Sequence, residues 1–177
     1  MNIVRIIAAA CLAASITPAI AQGQHTGAYT ALTIGKASGE DGGTSGAIGF
    51  YGPHFGFEVG MIGNSEFAEG DALDYPVPHN YYTSLGTKRV GNTFGIDGLF
   101  FLGNSNSWHP FVGIGVYFGE KAEIARSDVT GWLYTQSSKS KTEVAGSVGL
   151  HYTVGAMMLG VSYHTVRGPG ASIGVKF

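Results

Sequence analysis

Apolar and polar residues alternate with a period of two along most of this chain. The clearest stretch is 55–62, where Phe55, Phe57, Val59 and Met61 share one face and Gly56, Glu58 and Gly60 the other. That period marks a strand with two unlike faces. It predicts eight strands, at 26–36, 44–51, 55–62, 90–102, 110–118, 142–154, 157–165 and 171–177. On the fourth, Phe94, Ile96, Phe100 and Leu102 stand opposite Gly95 and Asp97. On the fifth, Val112, Ile114, Val116 and Phe118 stand opposite Gly113, Gly115 and Tyr117. The sixth sets Val144, Val148, Leu150 and Tyr152 against Ala145, Ser147, Gly149 and His151. The seventh sets Leu159, Val161 and Tyr163 against Gly160, Ser162 and His164. The last sets Ala171, Ile173, Val175 and Phe177 against Ser172, Gly174 and Lys176.

The faces opposite the apolar ones carry Glu58, Asp97, His151, His164 and Lys176. An apolar core does not hold such groups without partners. The apolar faces therefore point outward and the charged faces inward, which is the sidedness of a strand between lipid and a polar lumen. A secreted soluble barrel that binds a ligand in its cup has the reverse sidedness and stands as an alternative.

The connections sort into two sets. Gly52-Pro53-His54, 103–107 and Gly155-Ala156 are tight turns. The segments 39–43, 63–88, 120–140 and 167–170 fall between the other strand pairs and include the long ones. Tight turns at one end and longer loops at the other predict an all-β, eight-stranded, antiparallel up-and-down transmembrane barrel. Closure is required, because lipid offers no partners to an open sheet edge.

Composition narrows the picture. Charged residues are only 12% of the chain, against 29 glycines and 12% aromatics. Glycine leaves room in a narrow lumen, and aromatics suit the membrane interfaces. The net charge of −2 gives no reason to expect nucleic-acid binding. At the N-terminus, Arg5 precedes an apolar run, Ile6 to Ile16, then Pro18 and Ala19-Ile20-Ala21. This reads as a signal peptide, 1–21, leaving 22–177 as the barrel domain. The run is too short for a membrane helix. Cys11, the one cysteine, leaves with it, so no disulfide or thiol chemistry is expected.

The C-terminal strand ending in Phe177 resembles the signature of bacterial outer-membrane barrels. Pro110-Phe111-Val112-Gly113-Ile114-Gly115-Val116-Tyr117 resembles a recurrent strand pattern of the small outer-membrane β-barrel superfamily, which includes the OmpA transmembrane domain and opacity-type porin-family proteins. Phe55-Gly56-Phe57-Glu58-Val59-Gly60 resembles a second one. The resemblance implies the bacterial outer membrane as location, outer-membrane lipid and lipopolysaccharide as surroundings, and the barrel-insertion machinery as a partner of the last strand. It implies no single function.

Chemistry is sparse. Glu58, Asp97, His151, His164 and Lys176, with Arg167 beside them, are expected to form a lumenal polar network that fills the barrel. No catalytic residue is assigned. A lipid A deacylase is the enzymatic alternative, since His164 lies near the end of strand seven. That enzyme's serine two residues after its histidine is absent here, where Val166 stands, and His164 lies on the lumenal face. The histidines are scattered, with His151 and His164 expected to come nearest each other, so no metal site or cofactor is predicted. Tyr75, His79, Tyr81, Tyr82 and Trp132 in the long loops are candidates for surface interaction, with Lys139 and Lys141 placed to meet lipopolysaccharide phosphates. The role expected is structural or surface-interaction rather than catalytic.

Overall fold

The computed structural model describes residues 28–38, 43–64, 71–78, 80–102 and 107–176. The expected leader, His79 and Phe177 lie outside them. The strands are β1 (Tyr29–Lys36), β2 (Gly43–Tyr51), β3 (Phe55–Asn64), β4 (Tyr82–Phe101), β5 (Trp108–Ser127), β6 (Leu133–Val154), β7 (Met157–His164) and β8 (Gly168–Lys176). They run in sequence order around a closed barrel. Every neighbouring pair is antiparallel, and β1 closes on β8 with Tyr29 opposite Lys176.

The expected alternation sets the wall. Phe55, Phe57 and Val59 on β3, Ile114 and Phe118 on β5, and Val144 and Val148 on β6 all point outward and are exposed. Outward aromatics pair near the tight-turn end: Trp108 with Tyr152, ring centroids 4.4 Å apart, and Phe55 with Phe100 at 5.2 Å. Inward, two apolar clusters plug the barrel. One, toward the tight turns, holds Tyr29, Tyr51, Leu99, Phe101, Phe111 and Met158. The other holds Ala37, Ile62, Tyr117, Ala145 and Val166. The charged layer lies between them, so the lumen is not filled by polar groups alone.

The opposite end departs from expectation. Strands predicted at 90–102, 110–118 and 142–154 extend to 82–101, 108–127 and 133–154. β3 pairs with β4 only as far as Ile62 opposite Thr93, and β7 with β6 only as far as His164 opposite Ser147. Past those points β4, β5 and β6 stand as a three-stranded sheet. The expected loop 120–140 is mostly hairpin. Its turn is set by Ser127, whose Oγ accepts from the N–H groups of Val129 and Thr130 at 3.2 and 3.0 Å. Ser, Thr and Lys on both faces of this hairpin hide its period.

Part of the remaining loop joins the sheet. Leu73 donates to the Leu133 carbonyl at 2.9 Å and accepts from Thr135 at 2.8 Å, which pairs it with the free edge of β6. Ala72, Leu85, Val90 and Leu133 then cover Ala122 and Ile124, a small second core. β8 also begins earlier than expected, at Gly168, so Pro169 and Gly170 belong to the strand and Arg167 to the turn before it.

Candidate functional site

Two places gather functional side chains: the charged layer inside the barrel and the tip of the extended sheet.

In the layer, register sets Glu58 of β3 directly opposite Asp97 of β4, both facing inward. Like charges at that position repel and need a counter-ion. Arg167 supplies it from the β7–β8 turn. Its Nη2 donates to Glu58 Oε2 and, at 3.2 Å, to Asp97 Oδ2. Two tyrosines complete the carboxylates: Tyr51 donates to Glu58 Oε1 at 2.6 Å and Tyr117 to Asp97 Oδ2 at 2.5 Å. Every member of the cluster is buried.

His164 holds the turn that delivers Arg167. Its Nδ1 accepts from the backbone N–H groups of Val166 and Arg167, at 3.1 and 2.9 Å. Nδ1 therefore carries no hydrogen, and Nε2–H donates to Asp97 Oδ1 at 2.9 Å. Ser45 Oγ donates to the Arg167 carbonyl at 2.7 Å from β2. Glycines hollow the space: a Cβ at Gly60 would collide with Tyr117 Oη, and one at Gly115 with Asp97 Oδ1. The layer is a cross-brace between β2, β3, β4, β5 and the last turn.

The structure corrects two members of the expected network. Lys176 is exposed, because it ends β8 at the barrel rim, opposite Tyr29. His151 is inside the barrel but outside the ion cluster. Its ring packs against Tyr51 and Phe111, with centroids 4.9 and 4.8 Å away, and neither ring nitrogen has a hydrogen-bond partner among the described residues. The two histidines do not approach. His151 stands opposite Gly160 while His164 stands opposite Ser147, four positions along both strands. His109, not His164, faces His151 across the sheet. Among the described residues no three His, Cys, Asp or Glu groups gather to hold a metal.

Tyr51 and Tyr117 were missing from the expected network. Their inward parity was visible, since each follows the period of its strand. Their use was not, because a lumenal tyrosine reads equally well as apolar filling.

At the tip, Tyr82 stands opposite Ser127. The Asp128 N–H donates to the Tyr81 carbonyl at 3.0 Å, and the Ser127 N–H to that of Trp132 at 2.9 Å. These contacts bring Tyr81, Tyr82 and Trp132 together, exposed by 71%, 43% and 62%. Tyr82 opens β4 rather than lying in a loop. Tyr75 is half exposed, its ring edge on Tyr134 at 5.5 Å. The tip stands twelve residues beyond Phe94, roughly 35 Å of strand from the outward apolar band. Closer in, Lys141 is held charged to higher pH than a free lysine, chiefly by its hydrogen bond to Glu143.

No family model and no curated protein matches this chain. Solved structures do. The chain is similar to Ail, the attachment invasion locus protein of Yersinia pestis, solved in complex with the heparin analogue sucrose octasulfate. They are 10% identical over 86% of this chain and 97% of that one, with a TM-score of 0.46. It is also similar to Neisserial surface protein A, with 16% identity, the same coverage and a TM-score of 0.45. The likeness is one of fold.

Proposed function

We propose that this chain is a bacterial outer-membrane barrel, exported by a signal peptide at 1–21 and inserted through its C-terminal strand, with a surface-interaction role at its extended end. The observation that carries the reading is the sidedness of the wall. Ile114, Val144 and Phe55 are 69%, 74% and 68% exposed on the outside, while Glu58, Asp97 and Arg167 are buried within. Soluble monomers do not expose an apolar belt of that extent. A secreted ligand-binding cup needs its apolar residues inside.

The lumen serves as structure. Its charges are consumed by one another and its two ends are plugged, which leaves no passage for metabolites. Recognition falls to the tip, where Tyr75, Tyr81, Tyr82 and Trp132 stand on a stiff sheet far from the apolar belt; His79 belongs to the same segment by sequence. Exposed aromatics on a rigid mount suit recognition of another surface. The deacylase alternative loses its base, since His164 is buried inside the barrel and its Nδ1 lone pair is taken by the N–H groups of Val166 and Arg167.

Heat-modifiable gel migration of the protein from the outer-membrane fraction tests the membrane reading. A shift between unboiled and boiled samples is expected; a soluble periplasmic protein with no shift overturns it. Replacing residues 71–78 by a short Gly-Ser linker tests the role of the tip. The barrel is expected to persist while binding to host-cell or neighbouring-cell surfaces falls.

A further inference from the structure

Where the extended sheet leaves the barrel, a recess open to solvent is lined by Arg89, Thr93, Tyr117, Lys121, Lys141 and Glu143, with Glu120 beside them. Three cations converge there on one carboxylate. Arg89, Lys121 and Lys141 lie 3.5, 3.2 and 2.8 Å from Glu143. Register also sets Arg89 opposite Lys121, and Lys121 opposite Lys139, a row of positive charge across three strands. Like charges so placed destabilise a sheet. Glu143 offsets one of them, and Glu120, the other carboxylate at the recess, accepts a hydrogen bond from Ser138.

A second observation points the same way. Thr93 is 3% exposed, yet its Oγ1 has no hydrogen-bond partner among the described residues. A buried hydroxyl left unpaired is costly. Gly119 keeps the space beside it open, because a Cβ there would overlap Thr93 Oγ1. The Tyr117 ring helps to line the recess.

We propose that this recess is a binding site for a phosphate monoester. The three cations outnumber the two carboxylates, Glu120 and Glu143, so the recess keeps a net positive charge that an anion would offset. The Arg89 guanidinium and the two ammonium groups supply charge-assisted donors, and the Thr93 hydroxyl supplies a neutral one. Glu143 keeps the cations converged and competes with the arriving anion. The site stands on its own geometry, independent of what the aromatic tip recognises.

The test uses the full mature chain folded in octyl glucoside micelles, with heat-modifiable migration as the check on folding. Inorganic phosphate is titrated at constant ionic strength against chloride, and backbone amide resonances are followed by NMR. Saturable shifts at Thr93, Gly119 and Lys121 are expected, absent with chloride. Lys121→Gln is expected to weaken binding about tenfold. Thr93→Val is expected to weaken it by a smaller factor, and Glu143→Gln to tighten it. No saturable shift in the folded protein overturns the proposal, as does unchanged affinity in folded Lys121→Gln and Thr93→Val. Binding no tighter in Glu143→Gln overturns the competition on which it rests. Phosphorylated lipopolysaccharide, with its dephosphorylated form as control, then separates the sources. Displacement of inorganic phosphate by the first alone assigns a lipid-borne ester, and displacement by glucose 1-phosphate only assigns a free one.

Discussion

The barrel wall and the extended sheet are made from the same three strands, yet they obey different rules. In the wall, each residue of β4, β5 and β6 has its side fixed by an apolar exterior and a packed lumen. Phe94, Ile96 and Phe100 point out; Asp97, Leu99 and Phe101 point in. Beyond Thr93 and Ser147 the neighbouring strands are gone, and both faces carry Ser, Thr, Lys and Glu. There the ladder is held by backbone pairing and by a thin patch around Ala122 and Ile124. The contrast teaches that side-chain period records the environment of a strand, not the presence of one. It also separates stability from recognition: the wall is braced, and the extension is free to carry charge and exposed aromatics.

The sharpest break in that comparison is Arg167→Ala. It leaves Glu58 facing Asp97 in a buried layer, so the loss should be about 3–5 kcal/mol. A fall in the urea midpoint of heat-modifiable migration would register it. Replacing Glu58, Asp97 and Arg167 together by Gln, Asn and Met should recover much of the loss, which is the signature of uncompensated charge rather than lost packing. Gly115→Val overpacks the space that Asp97 occupies and should cost about 1–3 kcal/mol in the same assay. A Gly115→Val barrel as stable as the parent would contradict the close approach.

The extension should fail separately. Ile124→Ala thins its small core, so amide hydrogen exchange in 82–92 and 119–143 should quicken, with opening easier by about 2–5 kcal/mol. The barrel midpoint should stay in place, and a drop there would mean that wall and extension are one cooperative unit. Lys176→Gln sets the floor. The side chain is exposed at the rim and outside the ion cluster, so its effect should stay within about 0.5 kcal/mol.

The wall was legible in the sequence because its outward positions carry an apolar residue at every second place. Strands three, four and five could be phased from Phe57, Ile96 and Ile114 alone. The extension was not legible, because the run from Ser137 to Lys141 reads as loop wherever composition stands in for pairing. The cluster was half visible. Glu58, Asp97 and His164 announce themselves as charged or titratable residues on inward faces. Arg167 belongs with them in the expectation, yet it stands in a turn, and only the fold shows that its one guanidinium reaches both carboxylates. Lys176 has the right parity but the wrong depth, and parity carries no depth. His151 and His164 share neighbouring strands, yet their separation depends on register, which a hairpin's sequence leaves open until its turn is placed.

The position of Arg167 bears on how the barrel is assembled. Glu58 and Asp97 come together when β3 and β4 pair, early along the chain, and their cation arrives on the hairpin that closes the ring. A partly built sheet ending at β6 thus holds two facing acids and no base. Closure is the step that neutralises them, so the last hairpin works as a latch that favours the completed ring over an open sheet that already pairs β3 with β4.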